Sequence, residues 1–496
     1  MKFSSQPLIK HVLFFLWMAL SLYGHVHHVF WRDEVRALGI AISAESLWSL
    51  PTDLLNEGHP VLWYAILKIG YLLTGSTSIL PITSFLFAAG FVFLLLYKSP
   101  FHWLLVTIAI FGYYGLHEYN INARNYGIAV FIMFLFAWLT RTGKNRFWGY
   151  FLLALLTQTN FYAMVMAGFL CGLYFIRHLK NNPLKLQEFI GVFMVLAACL
   201  FCVYTCLPTK DTLVVNNTNF ATCNYYQIWD VGWGFPNLIG LGFDFKHGFF
   251  TTILLLCLLL FIKQPISLIF VFFSMVFMAF FHLNIRPNYS HHQGIWVFTF
   301  LTIVWLNYDE ILAGVRKNNF IKILALIGTS AYLLIFISFL YKGFQVYKQN
   351  LKEPFSNAKY VGSYLSKHHT SDRIIIAEPD YTMESVVYYY NMPYFLIRED
   401  KYNRYTHFTK ANKNIVGLDE VMNKYDSFEK LGKSPLLVLG WQIPKIASNF
   451  PHSYNKVTLM SENDLNLFHE KYKEIAHFDL YKRSDEVFYV YQKRKL

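Results

Sequence analysis

The sequence predicts a mainly α-helical bundle that crosses a membrane many times and carries a small α/β domain at its C-terminal end. Three observations lead there. Of 496 residues, 55% are hydrophobic and only 15% charged, where soluble domains carry about 25% charged residues. The shortage of charge is confined to the first two thirds, which read as a succession of apolar runs. From about residue 350 the composition returns to that of ordinary soluble protein. The expected units are a transmembrane domain over 1–345 and a soluble domain over 346–496.

Apolar runs near 11–30, 79–97, 101–117, 126–140, 147–161, 162–177, 187–207, 249–262, 265–282, 292–306 and 320–341 approach the ~20 residues a helix needs to cross a bilayer. That gives about eleven crossings. The first run follows Lys2 and Lys10 and has no small-residue cleavage site behind it, so it is expected to stay as a span. One set of loops holds Lys98, then Arg141, Lys144 and Arg146, then Arg177, Lys180 and Lys185, then Lys263, then Arg316 and Lys317. The positive-inside rule puts these in the cytoplasm and the soluble domain outside it. A twelfth crossing at 61–74 would break that parity. This segment, with Trp63, Tyr64 and Lys68, is therefore expected as an interfacial or re-entrant helix in the first outer loop. In the tail, Asn357–His368 has helical spacing. Arg373–Ala377, Leu436–Gly440 and Val487–Gln492 read as buried strands.

The net charge of +13 does not imply a nucleic-acid partner, because so much of it lies in loops that set topology. Membrane lipid is the expected surrounding. Of the six cysteines, Cys202 and Cys206 share a helix face with no histidine pair beside them, and all are expected as small core side chains rather than zinc ligands. No Walker loop and no GxGxxG follows a strand, which removes support for nucleotide hydrolysis and dinucleotide chemistry. The tail lacks a D-x-D pair.

The loops on the other side are different in kind. Ionisable groups next to hydrocarbon are costly and tend to be functional, and four such loops carry them. Trp31-Arg32-Asp33-Glu34 follows the first span. Its paired carboxylates suit a general base and a neighbour that tunes it, or a solvated helix start. Asn56-Glu57-Gly58-His59-Pro60 is a turn into a helix, with His59 as a substrate-lining candidate. Glu118-Tyr119-Asn120-Ile121-Asn122-Ala123-Arg124-Asn125-Tyr126 offers Arg124 as a phosphate clamp. Glu118 and Tyr126 lie beside it, and a structural Glu118–Arg124 ion pair is the alternative. Arg286-Pro287-Asn288-Tyr289-Ser290-His291-His292 places Arg286, His291 and His292 at a helix start suited to an anion. Adjacent histidines on a helix point apart, which disfavours a two-histidine chelate. No cofactor or bound metal is expected.

These motifs resemble, over about residues 10–310, the GT-C superfamily of integral-membrane glycosyltransferases. The likeness is greatest to the branch with protein O-mannosyltransferases and bacterial aminoarabinose transferases. It is carried by Asp33-Glu34 after the first span, by Gly58-His59-Pro60-Val61-Leu62-Trp63-Tyr64, by Ala123-Arg124-Asn125-Tyr126-Gly127, and by Arg286 with His291-His292-Gln293-Gly294. The chain departs from that pattern in having one proline after His59 and in separating Arg286 from His291. The resemblance implies a polyprenyl-phosphate sugar donor and an acceptor that is a glycan, a lipid or a protein. It implies Asp33 with Glu34 at the catalytic acidic position, Arg124 at the donor phosphate, and transfer on the outer side of a bacterial plasma membrane. A transporter or flippase of lipid-linked sugars predicts internal repeats and charges at mid-membrane, and neither is evident in the sequence. A polymerase of lipid-linked saccharides shares the donor chemistry and remains the other alternative.

Overall fold

In a computed structural model of the chain, the structure describes residues 6–141, 146–181, 185–212, 223–236, 238–239, 246–285, 289–446, 448–481 and 483–494. Each of the eleven apolar runs is helical. The helices are α1 (Gln6–His27), α2 (Arg32–Ser43), the single turn α3 (Leu50–Asp53), α4 (Leu62–Thr74), α5 (Ile79–Phe93), α6 (Trp103–Phe111), α7 (Tyr126–Arg141), α8 (Arg146–Thr157), α9 (Phe161–Asn181), α10 (Leu186–Cys206), α11 (His247–Leu258), α12 (Pro265–Asn284), α13 (Ser290–Leu306), α14 (Tyr308–Lys317) and α15 (Asn319–Lys352). Among the described residues six helices are long and apolar enough to cross a membrane. A bent pair, α13 with α14, makes a seventh. Others, α4, α7, α8 and α11 among them, are apolar but shorter. The protein is a multi-span membrane protein, and α2, α3 and α4 are the short helices of the first loop.

Local chemistry sets these boundaries. The Asn318 side chain accepts from the amides of Phe320 (2.8 Å) and Ile321 (3.3 Å) and so caps α15. Pro265 opens α12, where its missing N–H is no loss. The 63° bend between α13 and α14 exposes backbone carbonyls that need partners. Arg177 supplies one, donating to Leu306 O (3.2 Å) and to Asn307 Oδ1 (3.3 Å). The same end of the bundle gathers the basic loops. Arg141 pairs with Asp309, Arg177 with Glu310, and Lys98 lies 5.1 Å from the Trp138 ring.

Among the described residues the C-terminal part adds α16 (Ala358–Lys367), α17 (Leu418–Lys430) and α18 (Glu462–Lys471) to nine strands: β1 (Arg373–Glu378), β2 (Tyr394–Leu396), β3 (Lys401–Asn403), β4 (Ile415–Gly417), β5 (Ser434–Leu439), β6 (Phe450–Pro451), β7 (Val457–Leu459), β8 (Tyr472–Phe478) and β9 (Phe488–Lys493). A six-stranded sheet runs β3-β2-β1-β5-β9-β8, and a three-stranded one β4-β7-β6. β1 is parallel to β2 and to β5, with Ile376 opposite Leu437.

Side chains alternate across a strand, and here the two faces serve different cores. Ile374, Ile376, Leu437, Leu439, Tyr489 and Tyr491 face α17 and α18. Ile375, Ala377, Leu436, Val438, Phe488 and Val490 belong to the core that continues through α16 into the membrane bundle. The carboxyl ends of parallel strands are where open α/β sheets hold ligands. In this protein the 3₁₀ segment Asp380–Tyr388, which follows β1, packs there against α2.

Arg36 of α2 carries much of that junction. It donates to both oxygens of Glu57 (2.8 and 2.6 Å), to Glu384 (2.5 Å) and to the Thr406 carbonyl (2.8 Å). Its guanidinium lies 4.1 Å from the centroid of the Phe408 ring. Removing one partner of a buried pair leaves a charge without compensation, which costs about 3–5 kcal/mol. Glu384→Ala is therefore expected to destabilise the detergent-solubilised protein by about that amount. Glu384→Gln, which keeps the hydrogen bonds, should cost less. Thermal unfolding followed by tryptophan fluorescence checks both, and equal Tm values for wild type and Glu384→Ala would contradict the pairing.

Candidate functional site

Two chambers meet where the first loop touches the bundle. The polar one has a volume of about 240 Å³. Arg32, Asp33, Arg36 and Ala37 of α2 form one wall, and Ala123, Arg124 and Asn125, just ahead of α7, form another. Glu57 and His59 come from the turn before α4, Trp63 and Tyr64 from α4 itself, and Phe408 and Tyr454 from the C-terminal domain. The second chamber, about 360 Å³, is mainly apolar. It lies between the starts of α7, α9 and α13 (Tyr126, Phe161, Tyr162, His292), the end of α10 (Val203, Cys206, Leu207) and the end of α12 (Phe281, Ile285). His59 lines both.

The turn that presents His59 is built by residues tolerant of a left-handed backbone. Asn56 has φ of 75° and Gly58 of 72°. The Asn56 side chain accepts from the Thr209 amide (2.7 Å) and hydroxyl (2.9 Å), which ties the turn to the chain leaving α10. Thr212 then pairs with Thr409 as an isolated β-bridge, next to Phe408 in the wall of the polar chamber.

Asp33 and Glu34 are consecutive on α2 and point apart, as residues about 100° apart on a helix must. Asp33 faces the polar chamber with its side chain 37% exposed, 4.0 Å from Arg32 Nε. Glu34 turns inward and is fully buried. Its oxygens accept from the Ala123 amide (2.7 Å), from the Trp31 amide (3.2 Å) and from His28 Nε2 (2.9 Å). One carboxylate thus fastens the start of α2 to the turn that bears Arg124. The Arg124 guanidinium lies 5.4 Å from the centroid of the Tyr126 ring, and its charge interacts with Asp33.

Between α6 and the turn that bears Arg124 runs a π-helical segment, Tyr113–Ile121; such segments are common at functional sites. Glu118 on it is buried, accepting from Tyr113 Oη (2.7 Å) and Asn122 Nδ2 (3.0 Å), with His291 Nδ1 at 3.8 Å. Gly294 of α13 passes so close to this segment that a Cβ would collide with Tyr119 and Tyr114. Among the described residues no group of three or more His, Cys, Asp and Glu stands together as a metal site.

No family model matches the sequence, and no curated protein matches it. Among solved structures the chain is similar to that of ArnT from Cupriavidus metallidurans, both in the apo state and bound to undecaprenyl phosphate. Each aligns at 12% identity with a TM-score of 0.42, over 96% and 98% of this chain respectively and 97% of that one.

The residues singled out in the sequence divide by position. Asp33, Arg124 and His59 line the polar chamber, and His59, Tyr126 and His292 the apolar one. Glu34, Glu118 and His291 line neither and belong to the packing that fixes those walls. Arg286 lies outside the described residues. Several lining groups carried no site reading in the sequence, Arg36, Glu57, Phe408 and Tyr454 among them. Glu57 stands in the same turn motif as His59. Phe408 and Tyr454 sit in irregular segments of the tail that give no periodic signal. Tyr454 has φ of 62°, a backbone state costing about 1–3 kcal/mol for such a residue.

Each donor left without its buried acceptor costs about 1–3 kcal/mol. Glu34→Ala orphans three and should lower stability by about 3 kcal/mol or more. Asp33→Ala, at a partly exposed position, should stay within about 0.5 kcal/mol of wild type. Fluorescence-detected thermal unfolding of the two variants side by side tests the division of labour, which fails if their Tm values fall together.

Proposed function

We propose that the protein is a glycosyltransferase. It moves a sugar from a polyprenyl-phosphate donor to an acceptor hydroxyl on the non-cytoplasmic face of the membrane, with inversion at the anomeric carbon. The observation that supports this best is the adjacency of the two chambers. A polar pocket holding a carboxylate and guanidinium groups shares His59 with an apolar pocket between helix ends. Such a pair suits one ligand with a charged head and a hydrocarbon tail. The tail would lie among Phe161, Val203, Leu207 and Phe281, and the phosphate beside Arg124 and His292.

In the reaction Asp33 removes the acceptor proton as the acceptor oxygen bonds to the anomeric carbon. The bond from that carbon to the phosphate oxygen breaks, and its electron pair leaves with the polyprenyl phosphate. Arg124 is placed to stabilise the charge that develops there. Arg36 and Glu57, joined to each other, shape the wall rather than exchange protons. Phe408 and Tyr454 give the C-terminal domain a flat aromatic boundary on the acceptor side. Placing the basic loops around Arg141 and Arg177 in the cytoplasm puts both chambers and the C-terminal domain outside it.

Asp33→Asn keeps the shape of the site and removes its base, so transfer should fall by about 10²–10⁴-fold while donor binding persists. Arg124→Ala should lower kcat by about 10²–10³-fold. Both are measured with a radiolabelled polyprenyl-phosphate sugar in reconstituted membranes. Full activity of the Asp33→Asn variant would refute the assignment. Val203→Trp fills the apolar chamber, and it should abolish capture of a photoreactive polyprenyl phosphate without lowering Tm. Undiminished labelling would place the lipid elsewhere.

A further inference from the structure

We propose that Glu486, in the turn before β9, is a positioning residue for transfer: its carboxylate holds the first turn of α2 and thereby fixes Asp33 at the chamber wall. The inference rests on the reading of Asp33 given above and extends it to the C-terminal domain.

The start of a helix leaves amides without intrahelical partners. At the entry to α2 three successive amides are met by side chains, and two of those side chains come from the far end of the chain. The Phe30 amide donates to Tyr389 Oη (2.9 Å), the Trp31 amide to Glu34 (3.2 Å), and the Arg32 amide to Glu486 Oε1 (2.7 Å). Arg32 is the first helical residue and Asp33 the next. A negative charge at a helix N-terminus is favourable, and Glu486 delivers one across 454 residues of sequence.

Glu486 is itself rigidly held. It is fully buried, its Oε2 accepts from Ser356 Oγ, and its backbone carbonyl accepts from Asn357 Nδ2 (3.0 Å). The charged and titratable groups around it are Arg32 on α2, Asp485 beside it in its own turn, and Tyr389 from the segment after β1, where the Ser385 hydroxyl also hydrogen-bonds to it. Arg32 also donates to both Asp485 oxygens at 3.3 Å. Burial pushes the Glu486 carboxyl up to about 7, against the opposing pull of Arg32 and of the hydrogen bonds from Ser356, the Arg32 amide and Ser385. The ionised form, the stronger acceptor for the Arg32 amide, is therefore lost as pH falls through neutrality.

The test is hydrogen–deuterium exchange of the full-length protein in lipid nanodiscs. The segment 30–38 is followed from about pH 5.5 to about pH 8.5, corrected for the intrinsic exchange rate. In wild type, protection should fall several-fold below about pH 7. E486Q keeps an oxygen for the amide and cannot titrate, so its protection should stay level. E486A should be poorly protected throughout, while the β1 segment exchanges alike in all three and reports that the domain is folded. Wild-type protection that ignores pH, or E486A protected like wild type, overturns the anchor.

Kinetics with a synthetic polyprenyl-phosphate sugar complete the test. E486A should lose about 10-fold or more in kcat with little change in KM, as displacement of a reacting group requires. E486Q should restore kcat at alkaline pH without the acid-side fall. An unchanged kcat in E486A whose α2 has loosened overturns the positioning role. If wild type transfers nothing, the proposed function fails instead, and the exchange arm still decides whether Glu486 holds α2.

Discussion

The Glu34 carboxylate is the point on which the site depends. It is fully buried at the edge of a membrane bundle, a location that a carboxyl group occupies only when hydrogen bonds surround it. Those bonds come from the amide of Ala123, the amide of Trp31 and the imidazole of His28. Two segments about ninety residues apart therefore cannot drift independently. One carries Asp33 and the other Arg124. A carboxylate and a guanidinium set on separate loops would wander with those loops. Tied through the residue next to Asp33, they keep one spacing across the polar chamber.

The rest of the architecture supports that pair from two directions. On the membrane side, the π-helical Tyr113–Ile121 segment and α13 pack at close range and hold Glu118 and His291 out of the chambers. On the other side the C-terminal sheet directs the carboxyl ends of its parallel strands at α2. The place where a free-standing α/β domain holds its ligand is here taken by the 3₁₀ segment after β1, which packs against α2. The sheet has no private core on that face, because alternate residues of β1, β5 and β9 join the core of the bundle. The two parts thus share one continuous buried core beside the chambers.

Much of this was legible in the sequence. Apolar runs announced the helices, since hydrocarbon length and composition leave little choice of structure. Ionisable residues at span ends announced the chamber walls, and Asp33, His59 and Arg124 are there. The direction in which a side chain points was not legible. Asp33 and Glu34 differ by one position and by about 100° around the helix, and no pattern of polarity distinguishes the wall from the anchor. Strands β1, β5 and β9 stood out as apolar runs. The three-residue strands β2, β3, β4 and β7 are too short for period-two alternation to register, and β8 is a polar edge strand. The contributions of Phe408, Tyr454 and Arg36 depend on how the tail docks, a tertiary fact with no local signature.

One feature of the docking bears on synthesis. Tyr389 and Glu486 satisfy the amides at the head of α2, yet the ribosome makes them some 359 and 454 residues after the groups they hold. Domains form in order as a chain emerges, at about 5–20 residues per second. For the tens of seconds that follow insertion of α1, the head of α2 waits without these partners. A nascent chain can already present both chambers' membrane walls to lipid, with α2 held by Glu34 alone. The Arg32 amide gains its partner only when the turn before β9 has been made, so a chain cut short ahead of it would keep that amide without its carboxylate.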